Sequence, residues 1–242
     1  MPPRSKQVAS FAEAVADIPD GATIAFGGFA APGVPFNLIR ALAQQGARGL
    51  TCVSNTTGGA GKDRKPDVGL LVEQGQVRKV ICAFTAATRA SDVLPFTRFY
   101  EAGEVEAELV PQGTIAERLR AAGAGIPAFY TPAGVGTLLA EGRETRVIQG
   151  REYLLEQALP VDYAFLRAYQ ADEAGNLRFR RSQRNFNPVM AMAARIVVVE
   201  VEEPVLPEGS IDPDDVHTPG IFVHRIVLIP PAPEGIWPER RA

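Results

Sequence analysis

The stretch Asp20-Gly-Ala-Thr-Ile-Ala-Phe-Gly-Gly-Phe-Ala-Ala-Pro-Gly-Val-Pro35 decides how this chain folds. Its apolar run, Ala22 to Phe26, is typical of a buried strand in a parallel sheet that helices cover on both faces. The run stops at two glycines, and Pro35 suits the first turn of a helix. A strand that ends in glycines at a helix start brings backbone N–H groups together, as in phosphate- and acyl-binding loops. The loop Gly27–Gly33 is therefore either a binding site for a small anionic or acyl ligand or simply a sharp strand-to-helix turn with no ligand.

Strand and helix patterns alternate through the first half of the chain. After a helix around Leu38, Ile39 and Leu42, the sequence predicts strands at Leu50 to Val53, Val77 to Ala83 and Val105 to Val110, with helices between them. This alternation predicts an α/β fold with an open, mostly parallel sheet and helices on both faces. Ligands of such sheets bind at the carboxyl ends of the strands. The loops expected there are 27–33, 54–61 and 111–113.

The pattern changes after Ile126, where prolines and glycines interrupt it. We predict a small β-rich flap over residues 126–185, within a single domain that spans residues 1–242. A helix capped by Thr114 precedes the flap, and the last twelve residues, 231–242, form a proline-rich tail. The other predicted elements are a strand at Val147 to Leu155, a strand at Leu177 to Arg181, a helix at Asn187 to Ala194, and strands at Ile196 to Val201 and Ile221 to Ile229.

Composition excludes several classes of protein. The 242 residues are 46% hydrophobic and 22% charged, with a formal net charge of −3 and a pI near 5.6, which argues against nucleic-acid binding. No apolar run approaches the roughly 20 residues of a membrane span, and no secretory signal is evident at the N-terminus. Cys52 and Cys82 lie in apolar, strand-like runs. We expect buried thiols and a cytoplasmic protein.

Common cofactor and catalytic motifs are missing. The loop 27–33 lacks the G-x-G-x-x-G spacing of dinucleotide sites, and Thr56 and Asp63 stand where a phosphate loop around Gly58–Lys62 needs Gly and Ser or Thr. His217 and His224 have no Cys or carboxylate at ligand spacing, so we expect no metal site. No G-x-S-x-G elbow exists for a serine hydrolase. His217 lies in a polar turn, where a loop-fixing role is favoured over acid–base work.

A basic cluster, Arg178, Arg180, Arg181 and Arg184, lies on and directly after the strand predicted at Leu177 to Arg181. Its simplest interpretation is a solvated face. Two alternatives are guidance of an anionic ligand and an ion pair between subunits.

Together these motifs resemble the alpha (A) subunit of the two-subunit family I coenzyme A (CoA) transferases, of the 3-oxoacid type. The signature of that family matches residues 20–35 at every position. The resemblance continues nearly to the tail, through the segments Leu-Thr-Cys-Val-Ser-Asn55, Glu-Leu-Val-Pro-Gln-Gly-Thr114, Phe-Tyr-Thr-Pro-Ala-Gly134, Arg-Asn-Phe-Asn-Pro188 and His-Thr-Pro-Gly-Ile221.

The resemblance implies the open sheet shared with ribose-5-phosphate isomerase and glucosamine-6-phosphate deaminase. It also implies ping-pong transfer of CoA through a glutamyl-CoA thioester, and covalent catalysis of this kind divides one difficult exchange into easier steps. The family's nucleophile belongs to a Glu-Asn-Gly motif of the beta subunit, and that motif is absent from this sequence. No catalytic residue is therefore expected in this chain, which should need a beta subunit in a heterodimer or heterotetramer.

The resemblance further assigns binding roles. Gly27, Gly28, Phe29, Ala30, Ala31, Pro32 and Gly33 match the family's CoA-binding segment, while Asn55 and Gln112 match its acyl-contacting amides. No tightly bound cofactor is expected, because CoA esters are the substrates. Succinate with acetoacetate is the first expected acid pair, and 3-oxoadipate, whose extra carboxylate could use Lys62 or Arg64, is the alternative. Other possibilities are a short-chain fatty-acid CoA-transferase and, outside the class, a non-catalytic relative that senses sugar phosphates or CoA esters.

Overall fold

The structure is a computed structural model that describes residues 5–59, 65–87, 89 and 92–230. Its helices are α1 (Phe11–Val15), α2 (Phe36–Gln45), α3 (Val68–Glu73), α4 (Pro95–Glu101), α5 (Gln112–Gly123) and α6 (Asn187–Ala193). Its strands are β1 (Thr23–Phe26), β2 (Leu50–Thr56), β3 (Val77–Phe84), β4 (Glu106–Leu109), β5 (Ala128–Thr131), β6 (Thr145–Ile148), β7 (Arg151–Gln157), β8 (Val161–Ala168), β9 (Gln170–Ala171), β10 (Leu177–Arg178), β11 (Ala194–Val201) and β12 (Arg225–Leu228).

Seven strands form one parallel sheet in the order β12-β11-β8-β1-β2-β3-β4. The chain adds strands outward from β1 in one direction through β4, then returns to the other side of β1 at β8. The strand order therefore reverses beside β1, and the crevice at such a reversal is where open α/β sheets bind ligands. The predicted fold class, an open parallel sheet with a small antiparallel sheet beside it, is confirmed.

Alternate residues of the strands support two separate cores. In β1, Ile24 and Phe26 contribute to a core with α1 to α4, while Ala25 contributes to a core with α5 and α6. Phe26 packs edge-on against Phe165 of β8, with ring centroids 5.6 Å apart. Because both faces are covered, central strands such as β1 and β11 are largely apolar, which explains why their sequence shows runs rather than alternation.

The flap is smaller than its predicted range of 126–185. Its antiparallel sheet has the order β5-β7-β6 and ends at Gln157. The next strand, β8, pairs in parallel with β1 and β11 in the main sheet, although the prediction placed it in the flap. Its residues are buried on both faces, which suits a central strand and not a flap. The tail 231–242 lies outside the described residues.

Several predicted boundaries are wrong for local reasons. The helix assigned to a Thr114 cap begins at Gln112, because the Pro111 carbonyl already accepts from the Ile115 amide at 3.0 Å. The single strand predicted at 147–155 is a hairpin, since Gln149 and Gly150 adopt positive φ. The strand predicted at 221–229 is reduced to β12 by a 3-10 turn at 220–222.

Within the described ranges, no helix combines the length and apolar character that crossing a lipid bilayer requires. The two cysteines are buried and unpaired, as predicted.

Candidate active site

Two amide side chains meet at the carboxyl edge of the parallel sheet. Asn55 lies near the end of β2, and Gln112 is the first residue of α5, directly after β4. Gln112 Nε2 donates a hydrogen bond to Asn55 Oδ1 at 2.5 Å. An amide nitrogen carries two N–H groups, so this bond uses only one of the four that the pair possesses. The two residues predicted as acyl contacts are thus adjacent, although 57 positions separate them.

A cavity of about 720 Å³ opens in front of this amide pair. Its walls come from the glycine-rich loop, the ends of β2 and β3, and the segments that precede α3 and α4. The aromatic side chains of Phe29 and Phe84 line it with 48% and 50% of their surface exposed. The described lining residues are Phe29, Ala30, Ala31, Phe36, Asn55, Thr56, Gly58, Gly59, Lys65, Asp67, Ala83, Phe84, Ala86, Ala87, Asp92, Leu94 and Gln112.

Charged groups of both signs lie in the cavity wall. The Lys65 ammonium lies 5.2 Å from the centroid of the Phe36 ring. Asp67 accepts from the Gly59 amide at 2.6 Å and from the Gly69 amide at 3.0 Å, so its carboxylate fixes the wall and caps α3. No glutamate is found among the lining residues that the structure describes, which agrees with the absence of the Glu-Asn-Gly motif. Lys62 and Arg64, predicted to bind a second carboxylate, lie outside the described residues.

The glycine-rich loop differs from the expected cradle of free N–H groups. The Gly27 amide donates to the Phe165 carbonyl at 2.9 Å, the Gly28 amide to Asn185 Oδ1 at 3.2 Å, and the Phe29 amide to the Pro32 carbonyl at 3.1 Å. Three N–H groups at the start of the loop are therefore used by the protein itself. The loop reaches the cavity instead through Phe29, Ala30 and Ala31, and Ala30 adopts a left-handed φ of +52°.

A buried ionic network supports the loop and the start of α2. Glu200 of β11 accepts from the Asn37 and Leu38 amides, both at 3.0 Å, and lies 3.2 Å from Arg167 of β8. The same guanidinium pairs with Glu202 at 2.5 Å. Burial raises the pKa of Glu200 to about 7, although Arg167 favours its ionised form. The sequence analysis did not predict this network of Arg167, Glu200 and Glu202. Its only indication in the sequence is the pair of acidic residues at the end of an otherwise apolar strand.

The remaining predicted candidates lie outside the cavity. His217 Nδ1 accepts from the Phe179 amide at 2.9 Å and its ring stacks on that of Phe179, so its contacts are those of a residue that fixes a loop. Burial lowers the pKa of His217, and nearby arginines act in the same direction. In the basic cluster, Arg178 pairs with Asp215 at 3.0 Å and Arg180 lies over the Tyr169 ring. These contacts account for two of its four arginines.

A family model described as coenzyme A transferase matches residues 8–228. The chain belongs to the coenzyme A transferase family. The family that the sequence resembled is therefore confirmed, and the enzyme class with it.

Two curated relatives share about half of their residues with this CoA-transferase chain. The A subunit of a 3-oxoadipate CoA-transferase from Pseudomonas putida is 48% identical, over 93% of this chain and 94% of the relative. The A subunit of a succinyl-CoA:3-ketoacid coenzyme A transferase from Xanthomonas campestris pv. campestris is 49% identical, over 93% of this chain and 86% of the relative.

Among solved structures, an acyl-CoA transferase from E. coli O157:H7, captured as a thioester complex with CoA, superimposes with a TM-score of 0.79 at 26% identity. The alignment covers 97% of this CoA-transferase chain and 49% of the other chain. The chain therefore spans about half the length of that enzyme.

Proposed function

We propose that this chain is the alpha component of a two-component 3-oxoacid CoA-transferase, and that Asn55 and Gln112 bind the acyl group at which the exchange takes place. The observation that carries this proposal is the bonded amide pair at the back of a cavity large enough for an acyl thioester. The names of the two curated relatives, both of them components of CoA-transferases, support it.

The proposed chemistry requires a carboxylate from a beta subunit. The glutamate of that partner attacks the thioester carbonyl of the donor, the C–S bond breaks, and an acyl-glutamyl anhydride and the CoA thiolate form. The thiolate then attacks the glutamyl carbonyl, which releases the donor acid and leaves a glutamyl-CoA thioester. The acceptor acid repeats the sequence in reverse. Every step passes through a tetrahedral oxyanion, which N–H donors can stabilise.

Neutral donors suit this chemistry better than cations would. A lysine or arginine in the place of Asn55 would pair with the attacking glutamate and hold it in the ground state. Amide N–H groups stabilise the oxyanion without adding a charge, and the loss of one such donor typically lowers the rate about 10²–10³-fold. The bond between Gln112 and Asn55 fixes both side chains before the substrate arrives, so little reorganisation is needed during the reaction.

The glycine-rich loop completes the proposed binding site. Phe29, Ala30 and Ala31 line the cavity, so we assign to them the contact with the CoA ester, while the glycines of 27–33 shape the loop. We propose no tightly bound cofactor, because the CoA esters enter and leave as substrates. Buried free thiols at Cys52 and Cys82 fit a reducing compartment, and we place the enzyme in the cytoplasm on that ground.

Two acceptor acids are candidates, because one curated relative is named for 3-oxoadipate and the other for 3-ketoacids. We propose succinyl-CoA as donor with acetoacetate as acceptor, and 3-oxoadipate as the second candidate, which the Pseudomonas putida relative favours. The Lys65 ammonium in the cavity wall supplies a positive charge for the distal carboxylate of succinyl-CoA, which both reactions share.

Reconstitution with a candidate beta subunit tests the proposal. The purified chain alone should transfer no CoA, and the mixture should form acetoacetyl-CoA or 3-oxoadipyl-CoA from succinyl-CoA. In the mixture, Asn55→Ala and Gln112→Ala should each lower kcat about 10²-fold or more. Gln45→Ala is a matched control, because the side-chain amide of Gln45 also makes hydrogen bonds, two in number, but lies outside the cavity. Rates near wild type for both cavity variants would refute the assigned site.

A further inference from the structure

Two asparagines outside the glycine-rich loop bond to its backbone at three points. Asn185 Oδ1 accepts from the Gly28 amide at 3.2 Å, and Asn185 Nδ2 donates to the Pro32 carbonyl at 2.9 Å. Asn187 Nδ2 donates to the Gly33 carbonyl at 3.3 Å. The start and the end of the loop are therefore held by one short segment that lies more than half the chain further along.

The same asparagines fill the space beside the loop glycines. A Cβ atom at Gly27 would lie 2.1 Å from Asn187 Oδ1. One at Gly33 would lie 2.7 Å from Asn187 Nδ2 and 3.0 Å from Asn185 Nδ2. Real Cβ atoms essentially never make contacts shorter than 3.0 Å, so Asn187 leaves no room for a side chain at Gly27. At Gly33 the Gln183 carbonyl oxygen at 2.6 Å and the positive φ of +78° add to the same restriction.

Asn187 is held in place by buried hydrogen bonds to residues outside the loop. Asn187 is completely buried at the start of α6, and its Oδ1 accepts from the Arg167 amide of β8 at 3.2 Å. Its Nδ2 also donates to the Gln183 carbonyl at 2.9 Å. The Arg167 side chain is in turn held by Glu200 and Glu202. Asn187 thus connects the loop to the centre of the sheet through buried groups, where water cannot easily replace a hydrogen bond.

We infer that Asn185 and Asn187 are positioning residues that clamp the loop, so that Phe29, Ala30 and Ala31 form one wall of the substrate cavity. This inference rests on the proposed function, because it assigns the clamped wall to the acyl-CoA donor. Neither asparagine lines the cavity within the described structure, so they act on the donor through the loop. Loss of the clamp should weaken donor binding before it affects the chemistry at Asn55 and Gln112.

Hydrogen exchange tests the clamp without reference to activity. In Asn185→Ala, the Gly28 amide loses its acceptor, and its exchange should become roughly tenfold faster or more. Asn185→Asp keeps an acceptor oxygen but loses the donors to the Pro32 and Ser182 carbonyls, so its Gly28 protection should lie between those of Asn185→Ala and the wild type. Asn176→Ala is the matched control, because Asn176 also bonds to a backbone amide, at Gly220, but lies in a different turn. Unchanged Gly28 exchange in Asn185→Ala would overturn the inference.

Kinetics of the reconstituted complex test the positioning role. For Asn185→Ala we expect the KM for succinyl-CoA to rise about fivefold or more, with kcat at saturating donor reduced less than about threefold. A variant that merely folds poorly lowers the amount of active enzyme, and therefore kcat, but leaves KM unchanged. A reduced kcat with unchanged KM would thus refute positioning. A wild-type complex that transfers no CoA would refute the proposed function, while the exchange experiment still decides the clamp.

Discussion

Gly33→Ala offers a direct measure of how tightly the loop is packed, because the chain contains a matched reference. Gly33 has a φ of +78° and Gly21 has a φ of +77°, so an alanine meets nearly the same backbone strain at either position. Their surroundings differ. A Cβ at Gly21 meets nothing within 4 Å, whereas one at Gly33 meets the Gln183 carbonyl oxygen at 2.6 Å as well as the two asparagine amides.

Two effects determine the expected loss of stability: the strain of the left-handed backbone and the overpacking of the added Cβ. Left-handed backbone costs an L-residue roughly 1–2 kcal/mol, so Gly21→Ala should lower the free energy of unfolding by about that amount. Gly33→Ala carries the same strain and adds overpacking, which typically costs a further 1–3 kcal/mol in a close-packed site. The backbone carbonyl of Gln183 cannot rotate away as the end of a long side chain could. We therefore expect a difference between the two variants of about 1–3 kcal/mol.

Urea denaturation of both variants, followed by circular dichroism, measures the difference directly. The m values should equal that of the wild type, since neither substitution changes the surface exposed on unfolding. Equal losses of stability at the two positions would show that the loop is not packed against the asparagines as the structure describes. The reasoning about the clamp would then fail together with this prediction.

Three further outcomes test other parts of the structure. Asp67→Ala should lower the free energy of unfolding by about 1–2 kcal/mol, measured in urea, because the cap of α3 is lost; an unchanged midpoint would contradict this. Burial raises the pKa of Glu200 from 4.5 to about 7, so between these pH values the folded protein holds a proton that the unfolded chain has released. As pH rises from 4.5 to about 7, the free energy of unfolding of the wild type should therefore fall by up to roughly 3 kcal/mol relative to that of Glu200→Gln. Parallel pH profiles of the two proteins would argue against this. Burial raises the pKa of the Cys82 thiol to about 11, and Cys52 is equally buried, so native protein should resist an alkylating reagent until it is unfolded; rapid native labelling would disprove this.

Local chemistry was enough to predict the elements that build the sheet. Ser10 and Glu13 have the spacing of a capping box, and the Ser10 hydroxyl accepts from the Glu13 amide at 3.1 Å. The run Ala22 to Phe26 was predicted as a buried strand, and β1 lies at the centre of the parallel sheet. These predictions succeeded because capping and burial leave their pattern in adjacent residues.

Local sequence patterns could not predict the contacts of the candidate site. Asn55 and Gln112 were paired by the family resemblance, and no local pattern indicates a bond across 57 residues. The helix start at Gln112 was missed because Thr114 offered a stronger capping signal than Pro111, whereas the structure uses the Pro111 carbonyl. Glu200 was not singled out at all, since its burial depends on the placement of Arg167 in a strand 33 positions earlier.

The glycine-rich loop shows how an expectation drawn from the sequence can rest on an incorrect cause. Its glycines suggested N–H groups free to hold an anion, but the amides of Gly27 and Gly28 are used within the protein, and the missing side chains make room for Asn185 and Asn187. The packing instead presents the side chains of 29–31 to the cavity, and these are the groups to which we assign the contact with the CoA ester. A substitution at Phe29, 48% exposed in the cavity wall, should accordingly change donor affinity with little loss of stability, whereas a substitution at Gly27, where a Cβ would displace Asn187, should lower both the stability and the donor affinity.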